Sequence, residues 1–503
     1  MSYRAGGPRI PTTEGVVEGR WRTGLAEFRG IAYARPPVGE LRFAAPAAPS
    51  RWEGTRRATE FGPPPPQSGP VQAESARDAD WLTLNVCTPD PGVAGLPVLV
   101  WIPGGAYITA VGSDPTYDPA GLCEAGLVVV SLNYRVGVEG FALLDGAPPN
   151  RGLLDQVAAL GWVQRNIARF GGDPARVTVA GQSAGAGSIA ALLTMEPARG
   201  LFRRAITHSV PGNYCSRALA EQVAAALADR RGRAPTSTAL SEVDPWRLAD
   251  ELTALNADLS ADREHWGRLA QVGVAACPVV DGDVLSETPW SALTGGRASG
   301  VELLVGHTRD EFRLFTVMAG RVGTFTDQDA HTALDLFAPP PDGADAYRAA
   351  FPRATPEELL ETVSSDALFR MPSLHLARAN AVAGGTSFLF ELCLASRTFG
   401  GVLGACHSLD VSLAFGTLDS PTGRQVFGDP PSPEVLRVSQ ELQQAWARFA
   451  ATGDPGWAAH RPDQRLTRVL DARSRTTPYP EEASRQIWED HTPARFDIGT
   501  SSA

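Results

Sequence analysis

Three short apolar runs, each ended by turn chemistry, constrain the fold of this chain more than any other feature. LPVLVWIPGGAY (96–107) is rich in β-branched residues and stops at Pro-Gly-Gly, which predicts a buried strand ending in a tight loop. GLVVVSLNYR (126–135) predicts a second strand and VTVAGQ (177–182) a third. Between the last two, LLDQVAALGWVQRNIARFGG (153–172) places Leu154, Val157, Leu160, Trp162, Val163 and Ile167 at helical spacing and stops at Gly171. Strand, helix and strand in this order predict a parallel pair joined by a right-handed crossover. The sequence turns helical again at IAALLTM (189–195), and RRAITHS (203–209), VELLVGHT (301–308) and TSFLFELCL (386–394) read as further strands. Segments 215–270 and 315–380 carry mostly amphipathic helical pattern. The expectation is one α/β domain over residues 1–503, with a large central sheet and two helical caps.

Length alone, at 503 residues, would suggest about three domains. No linker supports that division, because FGPPPPQ at 61 and APPPDG at 338 are short and flanked by ordinary apolar-periodic sequence. The 45 basic and 56 acidic residues are scattered rather than gathered into a stripe, which argues against a nucleic-acid groove. Every basic residue is arginine, so Schiff-base, Walker-A and Ser–Lys chemistries are excluded. The N-terminus lacks an apolar signal region and no stretch is long enough to cross a bilayer, so a soluble, cytoplasmic protein without membrane contact is expected. Cys87, Cys123, Cys215, Cys277, Cys393 and Cys406 are dispersed, a pattern that predicts buried free thiols rather than disulfides or a zinc site. Cys406 precedes His407, but sequence neighbours rarely face each other, so a thiol nucleophile is set aside.

The strongest chemical signal is GQSAG (181–185), where the third predicted strand hands over to a helix. In a nucleophile elbow the glycines leave room for a strained turn that lifts Ser183. Close strand–helix packing would explain Gly181 and Gly185 equally well, so the pentapeptide needs company. Pro103-Gly104-Gly105-Ala106-Tyr107 supplies an oxyanion-loop context, with Gly105, Ala106 and Ala184 as N–H donors. VGHTRDEF (305–312) ends a strand in an acidic pair, of which Glu311 is preferred over Asp310 as the orienting acid. Among the histidines after the acid, His331 and His375 fall in the caps and His460 and His491 in the polar tail. His407, in the small-residue loop GACHSLD, is the best placed base.

These blocks resemble the type B carboxylesterases, the carboxylesterase/cholinesterase group of α/β-hydrolases that includes bacterial p-nitrobenzyl-esterase-like proteins. The resemblance runs over nearly the whole length. It is carried also by FRGIAYARPPVGELRF (28–43), LTLNVCTPD (82–90), NYRVGVEGF (133–141), PVVDGDVL (278–285) and FAATGDP (449–455). It implies the α/β-hydrolase fold, a Ser183, Glu311, His407 triad, oxyanion donors at Gly105, Ala106 and Ala184, a small-molecule ester substrate, and no cofactor or metal. Several residues depart from the family pattern. Gln182 stands where glutamate is usual, Pro103 replaces a histidine or tyrosine, Ala106 the third glycine of the loop, and Phe312 a glycine after the acidic pair. The N-terminal disulfide of secreted members is replaced by Pro65 and Trp81.

The reading is a serine carboxylic-ester hydrolase acting through an acyl-enzyme. Tyr107, Gln182, Phe312 and Phe399 are the candidates for the pocket lining, whereas Trp162 lies on the inward stripe of its helix and reads as core. Two other uses of such a chain stand beside it: a biosynthetic acyl transferase, cyclase or lactone-opening enzyme with the same triad, and a non-catalytic binding protein on this fold.

Overall fold

A computed structural model describes residues 6–69 and 80–498. Eleven strands form its central sheet: β1 (Arg20–Arg22), β2 (Leu25–Ala32), β3 (Thr83–Thr88), β4 (Leu96–Ile102), β5 (Val128–Leu132), β6 (Gly172–Gln182), β7 (Arg204–His208), β8 (Glu302–Thr308), β9 (Ser387–Leu392), β10 (Leu466–Leu470) and β11 (Arg475–Pro478). Their spatial order is β11-β10-β9-β8-β7-β6-β4-β5-β3-β2-β1. From β10 through β5 the neighbours are parallel, and antiparallel strands close both edges. Parallel strands need both faces covered. Accordingly β4 is buried at six of its seven residues and β7 and β9 along their whole length. Helices pack on both faces, and the buried side chains separate into two large clusters.

The predicted strand pair needs one correction. β5 and β6 are both parallel to β4, but β4 lies between them, so the crossover through helix α1 (Arg151–Asn166) skips a strand. Periodicity fixes strand direction there but not which strand fills the gap. The edge strands escaped the sequence reading because they are short or partly polar; β1 and β11 contain no buried residue. Trp162 is core, as expected, with its indole N–H donating to Glu14.

Helical structure occupies most of 217–272 and 313–382. The first of these segments carries a second correction. Cys215 and Cys277 form a disulfide, against the expectation of free thiols. Two strands of two residues, Cys215–Ser216 and Val279–Val280, pair in parallel and bring the cysteines together across 62 residues of sequence. Spacing alone carries no sign of so local a pairing. Cys87, Cys123, Cys393 and Cys406 are free thiols.

Candidate active site

Ser183 sits at the tip of the turn between β6 and helix α2 (Ala184–Leu192), with φ 55° and ψ −127°. A non-glycine residue in this region stores about 1–3 kcal/mol and persists only where its surroundings enforce it. Here they do. The Ser183 N–H donates to the His208 carbonyl of β7 at 2.9 Å, and its own carbonyl accepts from Gly187 N–H at 2.9 Å. The flanking glycines are required by close approach, since a β-carbon on Gly185 would collide with the Ile102 carbonyl and one on Gly181 would lie 2.7 Å from the Gly185 backbone. The elbow is pressed against the end of β4, which explains why both positions lack a side chain.

The end of β4 continues into the loop Pro103–Tyr107, where Gly105, Ala106 and Tyr107 all adopt positive φ. The Pro103 carbonyl is pinned by the Tyr134 hydroxyl at 2.8 Å, and the Gly105 carbonyl accepts from Ile108 and Thr109 N–H. Among the described residues, the N–H groups of Gly105, Ala106 and Ala184 donate to no protein acceptor. Gly105, Ala106, Ala184, Ser183 and His407 line one cavity of about 500 Å³. Ala184 also opens α2, whose N-terminal dipole end favours negative charge beside Ser183.

Glu311 is buried three residues beyond the end of β8. One carboxylate oxygen meets His407 Nδ1 at 2.5 Å, and the other accepts from the Ser209 hydroxyl at 2.6 Å and the Thr308 N–H at 2.8 Å. Asp310 turns the other way. It pairs with Arg309 and accepts the Ala405 N–H at 2.8 Å, tying the acid turn to the loop that carries His407. Burial pushes the Asp310 carboxyl up, but the Arg309 guanidinium and the Ala405 N–H outweigh it and hold it below the usual range.

His407 Nε2 lies 2.9 Å from the side-chain nitrogen of Gln182. Phe369 packs on the imidazole with ring centroids 4.4 Å apart, and Phe315 at 5.5 Å. Leu368 and Phe369 reach the cavity from a π-helical turn, Asp366–Arg370, a distortion that recurs at functional sites. Burial pushes the Cys406 thiol up to about 12, so the sulfur beside His407 carries no nucleophilic thiolate at neutral pH.

Of the expected lining residues, Tyr107, Gln182 and Phe312 border the cavity. Phe399 does not; it is 61% exposed in a glycine-rich loop outside the cavity, and the expectation for it is withdrawn. Aromatic character alone does not place a loop residue in a pocket. Ser209, Asn213, Phe315 and Phe369 were missed. Only Ser209 had a readable cue, its position just after a strand. The other histidines downstream of Glu311 lie away from the cavity; His331, for example, is exposed and pairs with Asp335. Among the described residues no cluster of three or more His, Cys, Asp or Glu could hold a metal ion, and no helix is long and apolar enough to cross a membrane.

Comparison with known proteins identifies the family. The model of the Carboxylesterase family matches residues 6–481. The chain is 35% identical to the para-nitrobenzyl esterase of Bacillus subtilis over 95% of this chain and 97% of that protein. It is 34% identical to the phenmedipham hydrolase of Pseudarthrobacter oxydans over 89% and 90%. A carboxylesterase structure from Geobacillus stearothermophilus superposes with a TM-score of 0.85 at 32% identity, covering 95% of this chain and 99% of that one. A PNB esterase structure gives 0.84 at 34%, covering 96% and 99%. An α/β-hydrolase sheet, an elbow serine and a family match along nearly the entire chain lead to one conclusion: this protein belongs to the carboxylesterase family and is a serine ester hydrolase.

Proposed function

We propose that Ser183 is the nucleophile, His407 the general base and Glu311 the acid that orients it, with Gly105, Ala106 and Ala184 as the oxyanion hole. The observation carrying this reading is that a serine on an enforced elbow and a histidine bound to a buried carboxylate share one cavity with three backbone N–H groups that have no acceptor among the described residues. His407 takes the Ser183 proton, the oxygen attacks the carbonyl of a small-molecule ester, and the developing oxyanion docks on the three donors. The imidazolium, steadied by Glu311, protonates the leaving alcohol. Water then enters, gives a proton to His407 and attacks the acyl-enzyme, releasing the acid and restoring Ser183.

The chain works as one catalytic unit over residues 1–503, with the segments about 215–270 and 315–380 as caps. The second contributes to the cavity wall through Phe315 and Phe369, and Gln271 and Val272, just beyond the end of the first, line the other side. The cytoplasmic setting expected from the sequence keeps the support of four free thiols and loses that of the Cys215–Cys277 pair.

The test is hydrolysis of a short-chain p-nitrophenyl ester by the wild type and Ser183→Ala, with intact mass after an organophosphonate probe. The expected result is a single adduct on the wild type, none on the variant, and a loss of about 10⁴-fold or more in kcat. A variant that retains wild-type turnover or still takes the probe overturns the assignment.

A further inference from the structure

Two polar groups on the wall of the active-site cavity are buried without a hydrogen-bond partner. Asn213 is 6% exposed, and its Oδ1 has no partner among the described residues. The hydroxyl of Tyr107, a fully buried residue, has none either. Both residues line the cavity that holds Ser183 and His407. An unpaired buried polar group destabilises a fold, so its presence on a cavity wall points to a partner that the cavity admits.

The backbone around Asn213 is fixed without help from its side chain. Gly212 N–H donates to the Leu368 carbonyl at 2.8 Å, and Cys215 is held by its disulfide. Between them the Tyr214 hydroxyl donates to the Gly187 carbonyl of α2 at 2.6 Å. Tyr107 reaches the same turn of α2, because a β-carbon on Gly187 would collide with its hydroxyl. The rest of the wall describes the ligand. It contains no acid, and the Arg321 guanidinium is engaged by Asp329 at 3.2 Å and by the Phe325 ring. Phe312, Phe315, Phe325 and Phe369 face an apolar body. An amide and a phenol each offer a donor and an acceptor, so a ligand hydroxyl pairs with either group whichever way the amide is turned.

We propose that Asn213 and Tyr107 determine specificity by binding a hydroxyl on the acyl group of a neutral ester. The inference rests on the hydrolase reading above and names the substrate class for that site. The leaving alcohol takes its proton from His407, whose ring is walled by Phe315 and Phe369. Tyr107 instead follows the oxyanion donors Gly105 and Ala106 directly, and the segment that carries Asn213 is bonded to the first turn of α2. The two polar groups therefore belong to the acyl arm. A site that bonds a substrate hydroxyl rejects the analogue without it, because the analogue leaves those groups buried and unpaired.

The experiment uses two pairs of p-nitrophenyl esters in which a methyl group replaces the hydroxyl. They are 3-hydroxybutyrate with 3-methylbutyrate, and 4-hydroxyphenylacetate with 4-methylphenylacetate. kcat/KM is measured for the wild type, Asn213→Leu and Tyr107→Phe, with Asn213→Ala as a second variant should the leucine one fail to fold. The wild type should favour the hydroxyl member of at least one pair by about tenfold or more. Asn213→Leu should remove about tenfold of that preference and Tyr107→Phe about threefold, mainly through KM. The ratio within a pair cancels any general loss of activity. A merely structural amide would lower the melting temperature of the leucine variant and leave the ratio where it was, which overturns the inference. So does a wild type that treats both members of each pair alike. A wild type that neither hydrolyses ester nor takes phosphonate overturns the hydrolase reading as well, so the two failures are distinguishable.

Discussion

Two histidine–carboxylate pairs are built into the two sides of this elbow, and they differ in what surrounds the second ring nitrogen. His407 binds Glu311 through Nδ1 and turns Nε2 toward the cavity that Ser183 lines. His208, whose carbonyl accepts the Ser183 N–H, binds Asp410 through Nδ1 at 2.8 Å in the same manner. Its Nε2 accepts the Trp446 indole N–H at 3.1 Å, and the ring is fully buried between Phe390 and Trp446. The pairing chemistry is alike; what differs is the fate of the second nitrogen. The His208 pair ties β7 to the helix after His407 and is sealed by Trp446, whereas the His407 pair borders the cavity that Ser183 lines, with the Gln182 side chain at its Nε2.

The sharpest way to break this comparison is to remove each ring in turn. His407→Gln should lose about 10⁴-fold or more in kcat while melting within a few degrees of the wild type, because in the proposed mechanism the lost group is the proton acceptor. Steady-state kinetics beside a thermal melt would check it. If the variant keeps a tenth of the wild-type rate, His407 is not the base.

A third class of histidine sharpens the contrast from another direction. His307, His375 and His460 are buried, none with a carboxylate at hydrogen-bond distance, and burial pushes each down to about 4. Their unfolded values are near 6.5, so between the two the unfolded chain binds protons that the folded one refuses. The stability they contribute is fully present above about 6.5 and is lost as pH falls toward 4. The loss summed over the three should be several kcal/mol. Urea unfolding at about pH 7 and about pH 4.5 measures it. Glu391, which burial pushes up to about 8, works in the opposite sense over this window, so an unfolding free energy that stays flat would mean that buried acids balance the three rings.

His208→Gln comes next in size and should invert the pattern of His407→Gln. It leaves the Asp410 carboxylate buried with its partner gone, which costs about 3 kcal/mol of stability, while kcat falls less than about tenfold. The unfolding midpoint and the rate, read on the same preparation, decide it. A large rate loss without destabilisation would place this second pair in the reaction path.

The sequence carried the parts of the site whose signals are local. Ser183 and Glu311 follow strands, His407 sits in a loop of small residues, and Gly105 and Ala106 end the most apolar run in the chain. Strand ends and turn chemistry mark these positions without reference to long-range contacts. What remained hidden depends on segments distant in sequence. The Phe315 and Phe369 rings meet His407 only because two cap helices fold over the sheet, and the π-helical turn that aims Phe369 has no residue signature. The Cys215–Cys277 bond depends on two strands of two residues each. Phe399 is the converse case: an aromatic residue in a glycine-rich loop that carries its ring out to solvent.

Ser209 is the residue where sequence came nearest and still missed, and its removal is the smallest effect expected. It follows β7 with φ 54°, a conformation enforced by the bond from its N–H to the Gly306 carbonyl at 2.7 Å. This left-handed geometry places Oγ against Glu311, opposite the edge that binds His407. Ser209→Ala removes one of two donors to that oxygen, and Thr308 N–H still holds it. The expected loss is about tenfold in kcat, roughly 1.4 kcal/mol, with KM unchanged, because the carboxylate is less firmly aimed while the cavity keeps its shape. Wild-type kinetics would mean that Thr308 alone suffices. A loss as large as that of His407→Gln would mean that the His407 pair extends one residue further than the His208 pair, with the Ser209 hydroxyl as a working member of the triad.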